Sequence, residues 1–97
     1  MIVKAEHKSN FFMMNNEPVQ NPSLSWAAKG LLAYLLSLPE NWDVHQRDLF
    51  VRSKNGRKPT VAALEELTAA GYVVVVKEQG KNKRRDTKYT VYENPIR

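Results

Sequence analysis

The chain has no cysteine and only two histidines among its 97 residues. Without cysteine it forms neither disulfide bonds nor metal sites built from thiolates. The two histidines, His7 and His45, lie far apart along the sequence, and no cluster of acidic residues accompanies them. None of the familiar spacings of metal or catalytic residues is therefore present. We expect no catalytic residue, no metal, no cofactor and no enzymatic activity.

The sequence also lacks a long apolar run. Its longest apolar stretch is far shorter than the ~20 residues that cross a bilayer. Residues 1–10 carry charges where a signal peptide would be continuously apolar. We therefore expect a cytoplasmic protein with no membrane partner. The length is that of one domain, 1–97, with one modest hydrophobic core.

The positive charge of the protein is concentrated in two short segments. The formal net charge is +5. Residues 47–58 contain five basic residues and one acid, and residues 77–88 contain six basic residues and two acids, so each segment has a net charge of +4. The rest of the chain, with four basic residues and seven acids, has a net charge of −3. Either segment alone fits a solvated loop or nucleic-acid binding, and a fold that presents both on one side favours the second.

Three helices are predicted in the middle of the chain. Ser25 is a suitable N-cap for a helix over 26–38, in which apolar residues recur at helical spacing. A second, short helix is predicted over 46–52. The third begins near Pro59, a residue suited to the first helical position, and ends at Gly71. We expect one core that includes both tryptophans, Trp26 and Trp42, and the following aliphatic residues: Leu32, Leu35, Leu49, Val61, Leu64 and Leu67.

The two ends of the chain have different patterns. Residues 1–24 combine an apolar patch with two prolines, which predicts an extended arm or an edge strand followed by a turn, with the aromatic residues packed on the domain. Residues 72–92 predict a β-hairpin, with a β-branched first strand and a basic loop over 79–85. A short additional strand is expected near Trp42 to Val44. The predicted class is therefore α+β, with three helices over 25–71 followed by the hairpin.

This order of elements is that of a winged helix-turn-helix. In such a domain the second helix of the pair enters the major groove of DNA with its N-terminal residues near the base edges. Both basic segments would then lie on one side, one at the start of the third helix and one at the tip of the hairpin. We therefore predict binding of double-stranded DNA by the following ten residues: Arg52, Lys54, Arg57, Lys58, Thr60, Lys81, Lys83, Arg84, Arg85 and Lys88.

The sequence also resembles a known group of proteins. Residues 24–39, LSWAAKGLLAYLLSLP, followed by Trp42, resemble the start of winged-helix domains in phage and plasmid replication proteins and in replisome organisers. Residues 63–73 resemble their third helix passing into the first wing strand, and residues 89–95 resemble their hairpin exit. The likeness covers roughly residues 11–95. It implies the winged-helix fold and a DNA-binding role in replication, with transcription control as the related possibility.

A protein-interaction module is the alternative interpretation. The third-helix face that carries Ala62, Ala63 and Glu66 has none of the side chains that usually read bases. Together with the apolar arm it would suit a protein partner, either a second copy of the chain or another replication protein. Both interpretations are compatible, since many helix-turn-helix proteins bind DNA as dimers.

Overall fold

The computed structural model describes residues 1–2, 10–39, 44–79, 85–92 and 94, without the side chains of 76–79 and 85–88. This part of the chain is of the α+β class, as predicted, with four helices and three strands. In chain order these are α1 (Asn16–Gln20), α2 (Trp26–Leu36), β1 (Val44–His45), α3 (Gln46–Phe50), α4 (Arg57–Ala70), β2 (Val73–Gln79) and β3 (Arg85–Val91). None of these helices is long and apolar enough to cross a membrane.

Helix α2 begins where the sequence predicts. Ser25 is its N-cap, and the serine Oγ accepts a hydrogen bond from the Ala28 N–H at 3.1 Å. This bond satisfies one of the backbone donors that a helix start leaves without a partner. The helix ends at Leu36, two residues earlier than predicted, and the Ser37 N–H closes it on the Ala33 carbonyl.

Helices α3 and α4 are joined by the linker, residues 51–56. At its end Gly56 has φ +81°, a left-handed conformation that glycine adopts without strain. α4 begins at Arg57, so Pro59 is its third residue and not its first as predicted. Proline is still tolerated there, because N–H groups in the first turn have no helical acceptor. Gly71, at φ +90°, ends the helix as predicted.

The three strands form one antiparallel sheet in the order β1-β3-β2. The hairpin register runs from Val73 opposite Val91 to Gln79 opposite Arg85. Residues 79 and 85, predicted in the loop, are therefore in the strands. The additional strand is β1, in which Val44 pairs with Tyr89.

The core lies between α2, α3, α4 and the sheet, but α4 is rotated relative to the prediction. Five of the six predicted aliphatic residues are buried, whereas Val61 is only half-buried. The buried face of α4 consists instead of Thr60, Ala63, Leu64 and Leu67, which follow the i, i+3, i+4, i+7 spacing of one helical stripe.

Three further expectations were wrong. Residues 16–20 form helix α1, so the segment 1–24 is not extended throughout, and the described part has four helices and not three. Trp26 is 84% exposed and not in the core. At 100° per residue, position 26 lies about 200° around α2 from the buried Ala28. Phe11 and Phe12, the aromatic residues of the arm that were expected to pack on the domain, are also exposed. Trp42 lies outside the described residues.

Candidate nucleic-acid interface

Four of the predicted DNA-binding residues are exposed on seven consecutive residues of chain. Arg52 and Lys54 lie in the linker, and Arg57 and Lys58 are the first two residues of α4. All four belong to the first basic segment. They lie close together along the chain at the start of α4, and we call these four residues the cationic turn.

Hydrogen bonds within the linker fix its backbone. The Val51 and Arg52 N–H groups donate to the Asp48 and Leu49 carbonyls, at 3.4 and 3.2 Å, and so extend the last turn of α3. The Asn55 N–H then donates to the Ser53 Oγ at 3.0 Å. Because Leu49 is buried in the core, this short linker is anchored to the domain. Its cationic side chains are therefore attached to a backbone that hydrogen bonds hold in place.

Arg57 also contacts α3 directly. Its guanidinium carbon lies 5.8 Å from the centroid of the Phe50 ring, within the range of a cation–π interaction. A guanidinium that stacks through its face presents its N–H groups along its edge, where a carboxylate or phosphate binds in the same plane. The contact therefore holds the side chain of Arg57, on α4, against the end of α3.

The start of α4 has an unusual charge distribution for a helix. Its first turn contains two cations and no acid. The N-terminal end of a helix carries a partial positive charge, which favours acidic side chains and bound anions and disfavours cations. Its N-cap, Gly56, has no side chain with which to accept a backbone N–H. Both features leave this end of α4 suited to an anion from outside the chain.

Thr60 lies away from this surface. It is buried, and its hydroxyl donates to the Gly56 carbonyl at 2.6 Å. The residue thus belongs to the packed face of α4, although the sequence predicts it among the DNA-binding residues. Ala63 is likewise in the core and not on the outer face, and Ala62 is exposed.

Glu66 has a partner that the sequence did not reveal. Its carboxylate accepts hydrogen bonds from the Ser25 N–H at 2.8 Å and from the Ser25 Oγ at 2.5 Å. These bonds stabilise the ionised form and lower the pKa of Glu66. Ser25 therefore joins α4 to the start of α2. The two residues are 41 positions apart, so no local spacing signals the contact.

The second basic segment is described only in part. Arg85 and Lys88 lie on β3, where their Cα partners on β2 are Gln79 and Val76. Lys88 also pairs with His45, the residue directly before α3, so the backbone of β3 lies beside the start of α3. Lys81, Lys83 and Arg84 lie outside the described residues.

The described residues contain no group of three or more acidic or histidine side chains placed to hold a metal ion. Comparisons of the chain with models of protein families, with curated proteins and with solved structures found no match. The resemblance of residues 24–39 to phage and plasmid replication proteins thus stays a prediction. What the cationic turn binds is inferred from its own residues.

Proposed function

We propose that the protein binds double-stranded DNA through a winged helix-turn-helix formed by α3, α4 and the β2–β3 hairpin. The observation that carries the proposal is the pair of exposed cations, Arg57 and Lys58, in the first turn of α4. A helix start that served folding alone would favour acidic residues there. Phosphate groups of DNA would relieve the unfavourable concentration of positive charge.

The element order supports a winged helix. α3 and α4 are joined by a six-residue linker, and the hairpin follows α4 after Gly71 and Tyr72. In this arrangement α4 enters the major groove, with its first turn closest to the DNA. Arg52 and Lys54 in the linker contact phosphates, and the hairpin segment adds further phosphate contacts. A role in replication or in transcription control follows from the sequence resemblance.

Few side chains of α4 are placed to contact the bases of DNA. With Thr60 buried, Arg57 and Lys58 are the candidates for hydrogen bonds to guanine, and exposed Ala62 offers a methyl group for contact with thymine. We therefore expect a specificity ratio near the bottom of the usual range of ~10³–10⁷. Selection from a random duplex library should return a short, weakly defined motif. A sharply defined motif of many positions would contradict this assignment of the readout.

The salt dependence of DNA binding tests the proposal. Each phosphate neutralised by a cation contributes about −0.9 to the slope of log K against log salt. The double variant Arg57→Gln/Lys58→Gln should flatten the slope by up to about 1.8 on each of two unrelated duplexes. Lys29→Gln, which removes a cation of α2 outside both basic segments, is the matched control and should leave the slope unchanged. Equal slopes for the parent and the double variant would remove the cationic turn from the interface.

A protein-interaction role is the second candidate, and a different surface favours it. Trp26 is 84% exposed, and the Lys29 ammonium lies 4.6 Å from the centroid of its ring. Met13 of the N-terminal arm is equally exposed, and tryptophan and methionine are both enriched in protein interfaces. If a second copy covers them, sedimentation should show a dimer that Trp26→Ala dissociates. A monomer for both proteins at all concentrations would exclude the homodimer.

A further inference from the structure

A groove lies between α2 and α4, and the linker closes one of its ends. Its volume is about 280 Å³. Its walls include Ala27, Gly30 and Tyr34 from α2, Arg52 and Asn55 from the linker, and Pro59 from α4. The lining is mostly apolar with a few polar groups at one end, the composition typical of small-molecule sites. The volume falls just below the ~300–1,000 Å³ that such sites usually have, which restricts the occupant to a small molecule.

Gly30 keeps the groove open at a cost to its helix. It lies in the interior of α2, where glycine is less favourable than every residue except proline. A Cβ built on Gly30 would meet no described atom within 4 Å, so close packing inside the described chain does not require glycine. Because Gly30 lines the groove, a larger side chain there would occupy it. The position is therefore suited to a ligand that approaches the helix backbone.

The charge of the groove selects the kind of ligand. Among the residues that the structure describes, Arg52 is the one charged residue of the lining, and none of the lining residues is an acid. The adjacent cations Lys54, Arg57 and Lys58 make the surrounding potential positive. Asn55 adds an amide that donates hydrogen bonds. An apolar floor with a cation at its rim is complementary to a molecule with an apolar body and one negative charge.

We propose that this groove binds a small carboxylate with an apolar body about the size of one aromatic ring. The carboxylate pairs with Arg52 and accepts from Asn55, and the ring lies over Gly30 between Ala27 and Tyr34. The site shares Arg52 with the proposed DNA-binding surface, but its occupant is recognised without nucleic acid, so its binding is measured on the protein without DNA.

Benzoate is the test ligand, followed by NMR of the ¹⁵N-labelled full chain at fixed ionic strength. We expect saturable shifts of the Gly30, Arg52 and Asn55 amides, with a dissociation constant in about the millimolar range that ligands this small reach. Benzamide keeps the ring without the charge, and acetate keeps the charge without the ring. Each should bind at least about fivefold more weakly, because each lacks one half of the recognition.

Two pairs of variants locate the site. Arg52→Gln should weaken benzoate binding about fivefold or more. Lys54→Gln, a charge-matched change in the same linker outside the groove lining, removes only a part of the surrounding positive potential and should weaken binding much less. Gly30→Leu should abolish binding, and Gly30→Ala, which adds a single carbon, should weaken it less. The spectra themselves report whether each variant is folded.

Three outcomes would overturn the proposal. They are binding of benzoate and benzamide with equal affinity, undiminished binding to folded Gly30→Leu, and equal losses from Arg52→Gln and Lys54→Gln. The absence of shifts at the groove amides would overturn it as well.

Discussion

The two ends of α4 differ in what surrounds them. At the C-terminal end, Leu64 and Leu67 are buried, and Glu66 is hydrogen-bonded to the start of α2. The helix there ends on Gly71 in a left-handed conformation. At the N-terminal end, the first two residues are exposed cations, and the N-cap is a glycine without a capping side chain.

The C-terminal end of α4 therefore stabilises the fold, whereas the N-terminal end carries positive charge that lowers the stability of the fold. Each contact at the C-terminal end lowers the free energy of the folded state. The cations at the N-terminal end oppose the helix dipole and repel each other. Substitutions at the C-terminal end should therefore lower the unfolding free energy, whereas substitutions at the N-terminal end should mainly weaken DNA binding. The following changes test this difference.

Leu64→Ala should have the largest effect. Leu64 is 4% exposed, and replacing a buried leucine with alanine costs about 2–5 kcal/mol of unfolding free energy through lost burial and a residual cavity. Urea denaturation followed by circular dichroism measures the loss. Val51→Ala, at a linker residue that is 79% exposed, is the control and should change the midpoint little. A Leu64→Ala midpoint equal to that of the parent would show that α4 packs differently.

Ser25→Ala should have the next largest effect. Ser25 is the N-cap of α2, and removal of a serine cap typically costs about 1 kcal/mol. The same change deprives Glu66 of a hydroxyl donor, so the loss should be in the upper part of the range for caps. Ser23→Ala, an exposed serine two residues earlier, is the matched control. Equal stabilities of the two variants in thermal unfolding would show that the cap is not formed in solution.

Local signals in the sequence predicted some of the ends of the elements but not all of them. Ser25, Gly71 and the position of β1 each depend on one residue type or a short pattern, and each is where the structure has it. The α+β class of the fold was also predicted from such short patterns. Such signals act over a few residues, so a single sequence contains them.

The packed face of α4 could not be predicted in the same way. Hydrophobicity favoured Val61, but the buried stripe includes Thr60 and Ala63, which are less hydrophobic than valine. Thr60 is therefore not one of the exposed residues of the candidate site, and Ala63 is not on the outer face of α4. The Ser25–Glu66 contact was likewise hidden, because it joins residues that only tertiary packing brings together.

Glu66→Gln should change the pH dependence of stability. The hydrogen bonds from Ser25 lower the pKa of Glu66 in the folded state. The stabilisation is therefore present above the ordinary carboxyl pKa and is lost as the pH falls through the lowered value. The parent should lose stability between about pH 5 and pH 3 more steeply than Glu66→Gln, which has no proton to bind. Denaturation midpoints across this range measure the difference, with Glu65→Gln at the exposed neighbour as control. Parallel profiles for the parent and Glu66→Gln would show that the contact does not persist in solution.

The smallest effects on stability are expected at the cationic end, and there the two cations should differ in sign. Lys58 opposes the helix dipole, and its replacement by glutamine should raise the unfolding free energy by about 0.3–0.5 kcal/mol at low salt. Arg57 opposes the dipole too, but Arg57→Gln also removes the contact with the Phe50 ring, worth about 0.5–1 kcal/mol at exposed sites.

Arg57→Gln should therefore be slightly less stable than the parent, and Lys58→Gln slightly more stable. Chemical denaturation of both single variants at low and high salt measures this order, and the gain from Lys58→Gln should shrink as salt screens the dipole. Both variants should nevertheless bind DNA more weakly than the parent. A clear loss of stability for Lys58→Gln would mean that this cation supports the fold, and the observation on which the DNA-binding proposal depends would then have a structural explanation.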